Sequence, residues 1–192
     1  MASRFIKLLF QGCSMEIVNS LVDLGWSFRK DSAGPNCLYI SRDGEVLEAI
    51  CQFKKTSSCE ILSLALGCCL DEFDELAEKI YGRKRPRLYL SQGKIKKTAE
   101  IISDEDVLGL DKEAKAWWGD QDNSLQIKKW SERAPIGGLN QFIHISALAF
   151  LGDFNRLMDY RESFISGKSS YFVPMITEDM LARAVDVAVY RA

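Results

Sequence analysis

Hydrolysis through a cysteine or serine nucleophile needs a base beside it, and this 192-residue chain has one histidine, His144. That imidazole falls in the middle of residues 139–151, the most apolar helical stretch in the sequence. A histidine in such a setting reads as a core residue whose ring nitrogens are satisfied inside the protein. Cys68 and Cys69 stand where a strand gives way to a helix. A helix N-terminus lowers a thiol pKa, so Cys68 or Cys69 with His144 is the nucleophile–base pair that the residue types allow. Nothing else in the sequence supports that pair.

The six cysteines are Cys13, Cys37, Cys51, Cys59, Cys68 and Cys69, and no two are spaced C-x-x-C. Thioredoxin-type redox chemistry and zinc-knuckle spacing are therefore absent. All six read as reduced, mostly buried small apolar residues. The carboxylates Asp71, Glu72, Asp74 and Glu75 lack the glycine and oxygen spacing of a calcium loop, and on a helix they form a solvated face. No G-x-x-x-x-G-K-[ST] occurs, and Gly137-Gly138 lacks the strand before and helix after of a dinucleotide fingerprint. The sequence thus predicts no catalytic residue, no metal site and no cofactor.

What remains are candidate surfaces. Residues 79–99 hold eight basic side chains and no acidic one, whereas residues 100–122 hold eight acidic against Lys112 and Lys115. Arg83, Lys84, Arg85 and Arg87 make the densest cationic cluster, a candidate anion or nucleic-acid patch with Tyr89 nearby for stacking. Its plainer reading is a solvated connector leading to a short strand at residues 88–90. In the acidic block, Trp117-Trp118 precede Asp120 and Asp122. Adjacent helical residues point about 100° apart, so one indole can be buried while its neighbour stays partly exposed. An exposed indole beside carboxylates suits a basic protein partner, which makes Trp117, Trp118, Asp120 and Asp122 the candidate partner-binding residues. The rival reading packs both rings against the sheet.

The elements that carry these residues follow from periodicity. A strand is expected over residues 4–10, whose apolar run is too short and too interrupted by Lys7 for a signal peptide. A helix over 14–24 places Ile17, Val18, Leu21 and Leu24 on one face, between a Ser14 cap and Gly25. Strands are expected at 26–30, 37–42, 45–53 and 58–67. Asp43-Gly44 is a two-residue hairpin turn that pairs Arg42 with Glu45, Ile40 with Leu47 and Leu38 with Ala49. A turn through 31–36 sets Phe28 against Leu38, and a loop over 54–57 sets Leu47 against Leu64. One register at every turn gives a single apolar face, and a slip by one residue would turn each strand's set toward water. In that register Cys59 falls on the opposite face from Cys51, which disfavours a disulfide between them.

A second amphipathic helix, 70–81, is expected to cover the sheet with its Leu70, Phe73, Leu76, Ala77 and Ile80 stripe. Further helices are expected from a Ser103 cap through Val107, Leu110, Ala114 and Trp117, over 124–133 carrying Leu125 and Trp130, over 139–151, from an Asp153 cap, and from a Thr177 cap. Residues 171–173 suggest an edge segment. The fold class is α+β: an antiparallel meander of four to five strands with one face covered by helices, then a mainly helical C-terminal half. Composition divides the chain into an α+β sheet region, 1–98, and a helical region, 99–192, packed together as one compact domain.

The helix–meander–helix order of residues 14–82 resembles the type III secretion chaperone-like fold, which implies a protein that captures an effector segment. In compact size, slight acidity and missing catalytic groups, the chain resembles bacterial toxin-immunity proteins, which implies neutralisation of a toxin by direct binding. Hydrophobic residues at 47% and charged residues at 27% are an ordinary globular mix, and no stretch approaches the ~20 apolar residues of a membrane span. A net charge of −2 gives no overall pull toward nucleic acid or an anionic membrane. The expectation is a cytoplasmic, non-enzymatic protein that binds a toxin or effector protein and no membrane, with the alternatives of a secretion chaperone or nucleic-acid association through residues 83–97.

Overall fold

The computed structural model describes residues 15–29, 37–132, 137–167 and 172–191. The expected strand at 4–10, the Ser14 cap, the turn through 31–36 and Tyr171 lie outside the described residues. The architecture is α+β. Its contacts divide the chain into two compact units that interleave in sequence: residues 1–69 with 91–121, and residues 70–90 with 122–192. The boundary near residue 98 suggested by composition is not where the packing changes, because the chain crosses between units three times.

The first unit holds α1 (Met15–Asp23), a five-stranded sheet and α3 (Asp104–Gly119). Its strands are β1 (Ser27–Arg29), β2 (Cys37–Arg42), β3 (Glu45–Lys55), β4 (Glu60–Leu70) and β5 (Ser91–Ala99), and they run in sequence order across the sheet. Asp43 and Gly44 both have positive φ, 54° and 80°, the conformation that suits a two-residue turn to the twist of its strands. The turn fixes Arg42 opposite Glu45, Ile40 opposite Leu47 and Leu38 opposite Ala49, and β1 places Phe28 opposite Leu38. Each pair matches the register expected from the sequence.

The apolar face that results, including Leu38, Leu47, Ala49, Leu62, Leu64 and Leu66, shares one core with Val18 and Leu21 of α1 and Val107, Leu110 and Ala114 of α3. At the end of α1 the Trp26 amide donates to Leu21 O and the Gly25 amide to Val22 O. Gly25 sits at φ 97°, so this is a Schellman ending in which Leu21 and Trp26 also meet in the core. Trp26 Nε1 then donates to Asp111 Oδ1 of α3 at 2.8 Å, and Lys115 holds the same carboxylate at 2.8 Å while donating to Leu24 O at 2.9 Å. A buried carboxylate is thereby supplied with the donors it needs. Ser103 and Asp106 form the capping box of α3, and Lys97 of β5 reaches Asp106 at 3.0 Å. Those bonds to backbone, lysine and hydroxyl draw the Asp106 carboxyl down to about 2.

Four expectations are corrected here. The short strand at 88–90 is instead β5, beginning at Ser91, and residues 172 and 173 form no strand. The helix that joins α1 on the sheet is α3; α2 (Asp71–Tyr81) turns Phe73, Leu76, Ala77 and Ile80 into the core of the second unit. An amphipathic stripe specifies that a face is buried but not which surface buries it. Finally, Cys51 is disulfide-bonded, not reduced, while Cys37, Cys59, Cys68 and Cys69 form no disulfide.

The second unit is helical: α2, α4 (Asn123–Glu132), α5 (Gly138–Phe150), α6 (Phe154–Ile165) and α7 (Glu178–Val189). In α5 every residue from Gln141 to Ala149 is buried, as its nearly continuous apolar sequence requires, and α2, α4, α6 and α7 all pack against it. Ser103, Asp153 and Thr177 each cap the helix expected of them. The inner face of α4 is Asn123, Ile127 and Ser131; Trp130 is half-buried and Leu125 is exposed.

Candidate functional site

His144 is fully buried in α5, and both of its ring nitrogens have protein partners. Nδ1 lies 2.7 Å from Trp130 O and Nε2 lies 3.1 Å from Tyr160 Oη. A carbonyl oxygen only accepts, so Nδ1 carries the proton and Nε2 accepts from the tyrosine hydroxyl. Trp130 O is one of the last-turn carbonyls of α4 that lack an intrahelical donor, and the next two, Ser131 O and Glu132 O, accept from Arg156 at 2.7 and 3.4 Å. His144 therefore closes the C-terminal end of a helix. Burial pulls its pKa below the ordinary value, and the bond to Trp130 and the neighbouring Asp153 only partly oppose that pull.

The thiols point the same way. Cys68 and Cys69 have no exposed surface at the end of β4. Cys37 is buried, and burial together with the adjacent Glu48 pushes its thiol up to about 11, the direction that suppresses thiolate. Glu48 itself is buried and bonded to Arg29 at 3.1 Å. Among the described residues no group of three or more His, Cys, Asp or Glu is arranged to hold a metal ion.

The two tryptophans are used for packing. Trp118 is 6% exposed, joins the core of the sheet unit and lies under the Arg42 guanidinium, 5.1 Å from ring centroid to Cζ. Trp117 is half-buried over Gly93 of β5, so close that a Cβ at that glycine would stand 2.7 Å from its ring. Its carbonyl accepts from Gln121 Nε2 at 2.8 Å. The sequence placed Trp117 in the inward stripe of α3; the fully buried indole is Trp118. Of the two carboxylates grouped with them, Asp120 is exposed, and Asp122 is an exposed cap that accepts from the Leu125 amide of α4 at 2.9 Å.

The cationic cluster is organised differently. α2 ends at Gly82, with φ 83°, and Arg183 of α7 donates to the last carbonyls, Ile80 O at 2.7 Å and Tyr81 O at 3.3 Å. The loop that follows is fastened by the carboxylates read from sequence as a solvated face. Asp71 pairs with Arg87 at 2.7 Å, and Asp74 accepts from the Leu88 amide at 2.8 Å. Arg87 is thereby neutralised within the unit. Arg83 lies over the Tyr81 ring at 5.2 Å, and Arg85 over the Phe142 ring at 4.9 Å. The two rings themselves meet edge to face at 5.6 Å. Among the described residues Arg83, Lys84 and Arg85 have no carboxylate within ion-pair distance, and the buried Nη1 of Arg85 has no hydrogen-bond partner.

Desolvation lowers the Arg85 pKa from its usual value, with Asp74, Tyr81 and Glu78 acting in the opposite sense. Beside these cations, Leu139, Phe142 and Met175 complete a groove of about 400 Å³ with an apolar floor. Those three floor residues were not singled out from the sequence. The available signal was Leu139, a large apolar side chain left at the outer start of α5 directly after Gly137-Gly138.

Comparison with protein families places this site in a wider group. A family model for DUF6990, a family of unknown function, matches residues 14–189. The chain belongs to DUF6990. The matched span takes in His144, both indoles and the whole cationic groove, so each falls inside the DUF6990 region. Neither the curated proteins nor the solved structures give a match.

Proposed function

We propose that the protein acts by binding another protein, in the manner of an immunity protein that neutralises a toxin by direct contact. The observation that carries this reading is the state of His144. The only imidazole in the sequence is sealed in a helical core and hydrogen-bonded at both nitrogens, which removes it from proton transfer at a surface. The surface chemistry left to the chain is of the kind that recognises a partner: an exposed Asp120, exposed carboxylates on α3, and a cationic groove with an apolar floor.

Affinity purification of the tagged protein from its native cells tests the reading. One protein recovered in constant proportion, whose toxicity is relieved when the two are expressed together, supports it. A dimer that holds an unfolded effector segment would identify a secretion chaperone instead. Protein that elutes alone and consumes a metabolite would end the binding reading.

The same reading assigns the protein to the cytoplasm. Among the described residues no helix is long and apolar enough to cross a membrane, and four cysteines outside any disulfide suit a reducing compartment. The Cys51 bond runs against that assignment. Titration of denatured protein isolated without reductant decides between them: all six thiols react if the bond does not form in the cell, and fewer if it does.

A further inference from the structure

The groove beside α2 has properties that no role in the fold uses up. Two of its floor residues are held in water although both are apolar: Leu139 is 53% exposed and Met175 is 39% exposed. Its rim carries Arg83, Lys84 and Arg85, and no carboxylate lines it among the described residues. Arg85 keeps a buried donor, Nη1, without an acceptor. A buried donor in that condition is costly to leave unmade. Exposed alkyl and thioether groups beside guanidinium groups that have no carboxylate partner among the described residues match a ligand that is itself apolar in the middle and anionic at the edges.

Two kinds of anionic macromolecule fit that description in part, and the surroundings separate them. A nucleic-acid strand needs open ring faces for its bases and a continuous cationic track for its phosphates. Here the Tyr81 and Phe142 faces are already covered by Arg83 and Arg85, and the rings meet each other edge to face. On the far side of the same loop, Asp71, Asp74, Glu75 and Glu78 line a second cavity of about 200 Å³ with Arg85 and Arg87. A long polyanion leaving the groove in that direction would meet Glu75 and Glu78 beside the Arg87 ion pairs. A short acidic peptide would not need to.

We propose that the groove formed by Arg83, Arg85, Leu139, Phe142 and Met175 binds an acidic peptide segment that carries one apolar side chain. The proposal rests on the reading of the protein as a binder of proteins. The apolar side chain seats on Leu139 and Met175, and flanking carboxylates accept from the rim cations Arg83, Lys84 and Arg85. Charge-assisted bonds to a guanidinium fix orientation, and the buried apolar contact supplies the contact area.

Fluorescence anisotropy with the full chain tests this directly. The probes are a labelled peptide pool, Asp and Glu throughout except for a central Leu, Met or Phe; the same pool with Ser at the centre; and a labelled oligothymidylate. The expected result is saturable binding of the first pool that weakens with salt, with the Ser-centred pool and the oligonucleotide each bound roughly tenfold more weakly or not at all. Arg85→Gln is expected to weaken the first pool by about tenfold. Leu139→Asp, at an exposed position where folding is not at stake, is expected to do the same, and Arg83→Glu to reduce the salt dependence.

The proposal is overturned if the oligonucleotide binds more tightly than the peptide pool, if the first pool does not bind, or if Leu139→Asp leaves its affinity unchanged. A Leu139→Asp protein that still recovers its cellular partner in full would refute the groove while leaving the protein-binding reading intact. A wild-type protein that recovers no partner would refute that reading itself.

Discussion

The Trp117-Trp118 turn and the Arg83–Arg87 loop have similar claims as binding surfaces in the sequence, and the fold treats them in opposite ways. Each is a cluster of interface-prone side chains beside a block of charge. At the first, the rings are taken inward: one lies under Arg42 in the core of the sheet unit and the other sits in the space that Gly93 leaves open. At the second, Arg87 is held by ion pairs to Asp71 and Asp74, and Arg83, Lys84 and Arg85 have no carboxylate partner among the described residues. The lesson is that residue type marks a site as costly to expose, while the nearest small residue or opposite charge decides whether it is exposed.

The sharpest way to break this contrast is Trp118→Ala. A buried indole at 6% exposure should cost about 3–5 kcal/mol on removal, read by urea unfolding. A loss below about 1 kcal/mol would mean that the ring is a surface feature after all. Next comes Gly93→Ala, whose added methyl meets the Trp117 ring at 2.7 Å and should destabilise by about 1–3 kcal/mol. The clash belongs to the pair, so in a double-mutant cycle Trp117→Leu should remove most of that penalty. Additive effects would show that the contact is not what limits the site.

His144 provides a third, pH-dependent check on what is sealed. Its folded pKa lies below the ordinary 6.5, so the stability contributed by the neutral ring is present above 6.5 and is lost as pH falls through the lower folded value. Arg156 lowers that value and Asp153 raises it, and Tyr160 is the hydroxyl that faces the ring. Urea midpoints between about pH 7.5 and pH 5.5 should therefore fall more steeply for wild type than for His144→Asn. Equal slopes, or a ring that NMR shows charged near neutral pH, would put the imidazole in contact with water. The smallest effect belongs to the open region. Arg83→Glu and Leu139→Asp should each change unfolding free energy by no more than about 0.5 kcal/mol, since neither side chain carries the fold. A large loss from either would show that the loop is as structural as the indoles.

How legible these regions were from sequence follows from how local their signals are. The β2–β3 register could be read because Asp43-Gly44 demands positive φ at both turn residues and the strands alternate on each side. The strand β5 could not, because an edge strand needs few apolar residues: of Ser91–Ala99 only Ile95 is buried, and lysines occupy exposed positions, as suits an edge among the described residues. The caps Ser103, Asp153 and Thr177 act within three residues and were found. The destination of the α2 stripe depends on α5 and α7 and was not.

At the candidate site the basic residues were visible as a cluster. Their separation into one neutralised arginine and three open cations depends on Asp71 and Asp74, which lie a turn of helix and a loop away. The choice between Trp117 and Trp118 depended on a glycine in another strand. Such facts belong to tertiary contacts, and periodicity carries no record of them.

The interleaving of the two units has a consequence for how the polypeptide reaches its native state on the ribosome. Residues 71–81 emerge early, yet the helices that bury Phe73, Leu76 and Ile80 are translated only at Gly138–Phe150 and Glu178–Val189. Through most of synthesis this greasy stripe has no native cover, a long-range dependence that slows folding and favours chaperone engagement of the nascent chain.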